Sequence, residues 1–160
     1  MREGKNLLGK ILTISVVVFS TALFANPIND YYKKHKNDRD MESRAIPPKM
    51  ASLMVDEDYP EAIDILQSLT ALKYLNYWGK QEKVKKYASD AISAKGNYKL
   101  LLEESDGYRN VTVFGIKKKG TVRKLIAVVK TKTQFLLLIG KGKLSDKQVA
   151  GLPALSKEIQ

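Results

Sequence analysis

Few residues of this 160-residue chain are suited to nucleophilic chemistry. The chain has no cysteine and one histidine, His35, which lies among lysines in a polar segment. A Ser-His-Asp site needs its histidine to be held in place by a third group. The sequence therefore favours an exposed His35 over a catalytic base, and it assigns no catalytic residue.

Carboxylates occur in clusters that could in principle handle protons or cations. Glu103 and Glu104 are adjacent, so on a strand they point to opposite faces and cannot form one acid–base pair. Residues 38–42 and 56–58 carry the other acidic clusters, but neither has the glycine and terminal glutamate of a calcium loop. Turn formation and helix capping explain both clusters better. The sequence thus predicts no metal and no cofactor.

Lysines form the strongest charged feature of the chain, whose net charge is +11. Lys117, Lys118 and Lys119 occupy one predicted turn, and Lys141 and Lys143 follow a later strand. Other strand ends carry Arg123, Lys124, Lys130 and Lys132. Turns at one end of a sheet can gather such residues into a patch that binds an anionic surface. Lysines at strand ends also discourage aggregation between sheet edges, and this second explanation remains open.

The elements that must position these residues are short helices and strands. Helices are predicted over Asp30–Lys36, over Lys49–Val55, from Pro60 through an apolar stripe that ends at Leu69, and over Lys80–Lys95, with weak helical character over 145–160. Strands are predicted over Met41–Ile46, Leu72–Trp78, Tyr98–Glu103, Arg109–Lys117, Thr121–Lys130 and Gln134–Gly140. Tyr74, Tyr77 and Trp78 could line a groove, but aromatic residues on a strand beneath helices favour a core role.

This order of elements indicates the α+β class. The last four strands are joined by short turns, which predicts a C-terminal four-strand meander in a mostly antiparallel sheet. We expect the helices to pack on one face of that sheet. Residues 26–160 are predicted to form a single domain, and flexibility of residues 26–40 is left open.

The first 25 residues have the three-part layout of a secretory signal peptide. A basic start is followed by the apolar run Ile11–Phe19 and by small residues that favour cleavage after Ala25, with Ser20 and Ala22 offering a second cut and an uncleaved membrane anchor as the alternative. The apolar segment is shorter than the roughly 20 residues that span a bilayer as a helix. We therefore expect an exported protein, periplasmic or secreted. The absence of cysteine predicts that it is not a lipoprotein.

The chain resembles DUF4252, a bacterial family of exported small proteins. The resemblance rests on the segment IPPKMASLMV (46–55), the apolar helix 63–69, the strand start LKYL (72–75), the charged helix 80–95, the segment YKLL (98–101), the turn SDG (105–107) and the strand end 135–140. It implies no catalytic residues, because the family has no assigned function. Many members look like envelope lipoproteins, from which this chain differs by having no cysteine.

Together these observations favour an exported, non-enzymatic envelope protein that binds another protein or an anionic envelope component. Peripheral contact with a membrane is compatible with that reading, and export argues against nucleic acid as a partner. The alternative is a small hydrolase that acts on envelope material through carboxylates such as Glu103 or Asp106. The sequence alone does not decide between them.

Overall fold

Alternating apolar and polar residues build the strands of one antiparallel sheet, and helices fill the connections. The computed structural model describes residues 26–158. The strands are β1 (Met41–Ile46), β2 (Leu69–Trp78), β3 (Lys99–Ser105), β4 (Asn110–Lys118), β5 (Thr121–Lys130) and β6 (Gln134–Leu144). The helices are α1 (Pro27–His35), α2 (Pro48–Leu53), α3 (Pro60–Gln67), α4 (Gln81–Ser93), α5 (Asp146–Ala150) and α6 (Leu152–Glu158).

The six strands lie in the order β1-β2-β6-β5-β4-β3, and every neighbouring pair is antiparallel. Strands β3 to β6 form the predicted meander. Strand β6 lies between β2 and β5 and so joins the N-terminal strands to the rest of the sheet. The α+β class and the antiparallel sheet are confirmed.

Helices cover both faces of the sheet, so the expectation of helices on one face was wrong. Helices α3, α5 and α6 pack on the face that we call the α3 face, and helices α1 and α4 pack on the opposite α4 face. The reason lies in β5 and β6, which are apolar on both sides. Leu136 and Leu138 enter the core of the α3 face, whereas Leu137 and Ile139 enter the core of the α4 face.

Most predicted boundaries shifted by a few residues, and two of the shifts change how a residue is assigned. Leu69 belongs to β2 and not to the preceding helix, because α3 ends at Gln67 and the chain turns at Ser68. Strand β6 continues past Gly140 to Leu144, so Lys141 and Lys143 lie within a strand and not after it. This second change alters the candidate site.

Helix α1 is part of the α4 face. It begins at Pro27, where a missing N–H has no helical partner to lose. Ile28 and Tyr31 are buried in the core of this face. The segment that contains His35 is therefore packed against the sheet. The proposed cleavage site at Ala25 lies outside the described residues.

Candidate functional site

Strand alternation separates the lysines of the predicted patch between the two faces of the sheet. Lys117 pairs with Val122, which belongs to the core of the α3 face. Its Nζ lies 2.7 Å from Oδ1 of Asp146 in helix α5 on the same face. Lys118, the next residue, therefore points to the α4 face. Lys119 lies in the β4–β5 hairpin with a φ of 53°.

Lys141 and Lys143 lie on the α4 face at the end of β6. Gly140 packs against Leu125 and Leu69 of the α3 face, and Leu144 is in the core of that face. The residues between them alternate, so Lys141 and Lys143 share the opposite side. Both side chains are exposed. The structure thus groups them with Lys118 and not with Lys117.

Two further lysines extend this group across the sheet. Lys124 on β5 lies directly opposite Lys141 on β6. Lys73 on β2 pairs with Ile139, two residues before Lys141, and points to the same face. We call these residues of four adjacent strands the basic strip: Lys73, Lys118, Lys124, Lys141 and Lys143.

Lys73 is the most enclosed member of the basic strip. Its Nζ donates a hydrogen bond to Oδ1 of Asn29 at 2.6 Å and lies 4.5 Å from the centre of the Tyr32 ring. Burial lowers the pKa of the Lys73 ammonium, and the positive charges of Lys141 and Lys33 lower it further. Helix α1 therefore forms one wall of the strip.

Carboxylates do not neutralise the strip. Within residues 26–156, none of its five lysines lies within ion-pair distance of an acidic side chain. Lys117, on the other face, has such a partner. The strip is therefore a surface whose positive charge is uncompensated by the described part of the chain, and it can attract an anionic partner.

Helix α1 also brings the start of the described chain to this end of the α4 face. A Cβ atom added to Gly96, just after helix α4, would lie 3.4 Å from Cδ of Pro27. Lys95 beside it lies over the ring of Phe114, with Nζ 5.8 Å from the ring centre. The strip and residue 26 are consequently at the same end of the molecule.

The two carboxylates considered for catalysis, Glu103 and Asp106, lie on different elements and do not form a pair. Glu103 lies on β3 opposite Thr112, in the α4 face. Asp106 lies in the following loop, where its Oδ1 accepts the N–H groups of Tyr108 and Arg109. These hydrogen bonds give Asp106 a turn-forming role. Over residues 26–158, no group of three or more acidic or histidine side chains could hold a metal ion.

His35 is held in a network at the other end of the α4 face. Its Nδ1 donates to Oδ2 of Asp38 over 2.7 Å, and the Tyr87 hydroxyl donates to the same oxygen over 2.9 Å. The hydrogen bond from His35 holds the pKa of the Asp38 carboxyl below its usual range. Burial, together with the hydrogen bond to Asp38, raises the pKa of Tyr87 to about 12.

This network stabilises the fold and offers little to a substrate. The ring of His35 lies 4.5 Å from that of Tyr31 and 5.4 Å from that of Tyr87, centre to centre. Only 15% of its side chain is exposed. The expectation of an exposed His35 was therefore wrong, because aromatic rings from α1 and α4 enclose it.

The three aromatic residues of β2 have different environments. Tyr77 is buried in the core of the α4 face, and Tyr74 packs at the edge of the core of the α3 face. Trp78, the last residue of the strand, is half exposed. The core role is therefore confirmed for Tyr77, whereas Tyr74 is partly buried and lines a cavity on the α3 face, so the three side chains do not line one groove.

Lys73 was missing from the predicted patch, and Lys124 was placed at a strand end without being assigned to the patch. A lysine within the otherwise apolar start of β2 (LTALKYL) was the available signal for Lys73, since a central strand seldom carries an unpaired charge. Their proximity to Lys141 depends on β6 lying between β2 and β5. That strand order is not readable from local patterns.

Residues 31–152 match the family described as a domain of unknown function, DUF4252. The chain belongs to the DUF4252 family. The match covers well over half of the chain and includes all six strands and every lysine of the basic strip. Comparison with curated proteins gave no match, and comparison with solved structures gave none either. In residues 26–158 of this DUF4252 chain, no helix is long and apolar enough to cross a membrane.

Proposed function

We propose that the protein is exported and acts without catalysis, binding an anionic component of the cell envelope through the basic strip. The observation that carries this proposal is the row of lysines on four adjacent strands that no described carboxylate neutralises. Such a surface suits lipid phosphates, because each basic residue near an anionic bilayer contributes about 1 kcal/mol of attraction.

The N-terminal layout supports the same proposal. Cleavage after Ala25 would leave the amino group of Asn26 at the end of the molecule that carries the strip. An α-amino group with a pKa of about 8 is largely protonated at neutral pH, so cleavage adds a further cation there. Export would also place the strip where anionic head groups are available.

Vesicle sedimentation tests the binding step. We expect the protein starting at Asn26 to bind vesicles that contain phosphatidylglycerol, to bind pure phosphatidylcholine vesicles poorly, and to dissociate as salt is added. The double variant Lys141→Gln/Lys143→Gln should bind roughly 30-fold more weakly, at about 1 kcal/mol per lysine. Equal binding to both kinds of vesicle would contradict the proposal.

The matched control removes the same charge from the opposite face. Lys117 and Lys147 lie on the α3 face, at the end of β4 and in helix α5. Lys117→Gln/Lys147→Gln should therefore retain most of the binding. If both double variants lose it equally, net charge and not the strip is responsible. N-terminal sequencing of the fractionated native protein tests export separately, and an intact Met1 in the cytosolic fraction would refute it.

A further inference from the structure

An apolar cavity of about 550 Å³ lies on the α3 face, between helix α2 and the sheet. Its floor consists of Leu66 from α3, Leu138 from β6 and Leu155 from α6, all of which are buried. Ala51 of helix α2 lines its outer wall. A volume of roughly 300–1,000 Å³ is typical of sites for small organic ligands.

Large apolar side chains are exposed on the helix that covers this cavity. Helix α2 has only six residues. Leu53 is 85% exposed, and Met54, at the rim of the cavity, is 79% exposed. A cluster of exposed apolar residues beside an apolar cavity is characteristic of a binding site.

The polar groups of the cavity indicate which head group a ligand would carry. Among the described residues of the lining, Asp56 is the only charged one, and its Oδ1 accepts the N–H of Asp58 at 3.2 Å. Glu57 and Asp58 follow it and are exposed. The Tyr74 hydroxyl is already engaged, because it donates to Oε1 of Glu42 at 2.8 Å. Arg44, whose Nε lies 3.2 Å from Oε1 of Glu42, offsets that carboxylate. A carboxylate or phosphate beside Asp56 would therefore meet the negative charge of residues 56–58.

We propose that this cavity binds one aliphatic chain whose head group is cationic or uncharged. The chain would contact the leucines of the floor, and the head group would lie beside Asp56. Aliphatic walls favour a hydrocarbon chain, since burying each CH₂ group contributes about 0.8 kcal/mol. The site is on the opposite face from the basic strip, so it does not depend on the proposed function.

Fluorescence displacement tests the chemistry of the ligand. The uncharged probe N-phenyl-1-naphthylamine should bind saturably to the protein starting at Asn26. Dodecyltrimethylammonium and dodecyl maltoside, kept below their micelle concentrations, should displace it at concentrations at least tenfold lower than dodecanoate does. The three competitors share one chain and differ in head group. No saturable binding, or equal displacement by dodecanoate, would overturn the proposal.

A pair of variants on helix α2 tests the location. Ala51→Phe places a ring in the cavity and should weaken probe binding at least tenfold. Met50→Phe puts the same ring on the neighbouring residue, which does not line the cavity, and should leave binding unchanged. Equal effects of the two variants would show that the probe binds elsewhere.

If Ala51→Phe does not fold, Asp56→Asn tests the cavity independently. This variant removes the charge at an exposed position, so it should bind the probe normally. The concentrations at which dodecanoate and dodecyltrimethylammonium displace the probe should become more similar. An unchanged order of the competitors would refute the role of Asp56.

Size-exclusion chromatography tests whether a second copy of the protein covers the cavity. A stable dimer that dissociates on Leu53→Ser would show that it does, and would overturn the proposal.

Discussion

Lys124 on β5 and Lys141 on β6 occupy directly opposed positions on two central strands of the sheet. Like charges in this relationship destabilise a sheet. Lys73 lies close enough for the charge of Lys141 to contribute to the lowered pKa of its ammonium. The folded protein therefore maintains electrostatic repulsion within the strip, and an anion bound there would relieve it.

Removing one of these charges should stabilise the protein. We expect Lys141→Gln to raise the free energy of unfolding by about 0.2–1 kcal/mol at low ionic strength. Urea unfolding at low salt and again at about 1 M salt, where the screening length falls to about 3 Å, measures the effect. The gain should shrink at high salt. Lys147→Gln on α5 is the control, and a loss of stability in Lys141→Gln at low salt would contradict the repulsion.

Asp38 should make stability depend on pH in the acidic range. Its pKa in the folded protein is lowered from 3.8, chiefly by the hydrogen bond from His35. The unfolded chain therefore takes up the proton first as the pH falls. The stabilisation is present in full above the ordinary pKa and disappears as the pH falls through the lower folded value.

Denaturation of Asp38→Asn across pH 2 to 7 checks this. The variant should be about 1 kcal/mol less stable than the natural protein at neutral pH, because the hydrogen bonds to the carboxylate weaken. The two stabilities should converge at the acidic end. Asp40→Asn is the matched control, since asparagine tolerates the φ of 66° found there. A constant difference at every pH would refute the linkage.

Gly142 allows β6 to approach the start of β2. A Cβ at this position would collide with the carbonyl oxygen of Ser68 and would lie 2.8 Å from Cα of Leu69. Because both contacts are with backbone, Gly142→Ala should cost about 1–3 kcal/mol. Thermal unfolding measures the loss, and Gly107→Asn, in open space at a φ of 85°, should be nearly neutral. If Gly142→Ala were as stable as the natural protein, the two strands could move apart at little cost.

The turn into helix α5 should depend on Ser145. Its Oγ accepts the N–H of Gln148 at 3.2 Å, and Oε1 of Gln148 accepts the N–H of Ser145 at 2.9 Å. Ser145→Ala should therefore cost about 1 kcal/mol in urea unfolding. Ser93→Ala removes a hydroxyl that donates to the carbonyl oxygen of Ser89 in the preceding turn of α4, and it should have little effect. A larger loss in the control would contradict this capping role.

Local patterns predicted the strands and the α4 helix well. Strand β1 has the predicted bounds, and α4 lies within its predicted range, because turn residues and a 3.6-residue apolar period mark these elements directly. Leu69 was misassigned because it fits the apolar stripe of α3 as well as a strand. A single apolar residue between two elements has no repeat spacing that would assign it to the helix or to the strand.

The candidate site was only partly predictable, for a different reason. Lys117 and Lys118 are neighbours in sequence, but they point to opposite faces of the sheet. Lys73 and Lys141 are far apart in sequence and share one face. Charge clustering along the chain therefore located the right end of the sheet, while strand order decided which lysines meet.

The position of β6 has a consequence for how the chain can fold. The antiparallel pair β1–β2 and the strands β3 to β5 each expose an unpaired central edge until residues 134–144 insert between them. The pairing of β2 with β6, which joins residues 69–78 to residues 134–144, must then wait for the C-terminal part of the chain, and such non-local pairing is slow. A polypeptide that is threaded across a membrane before it folds would benefit from this delay. Under the proposed export, insertion of β6 would complete the sheet only after passage.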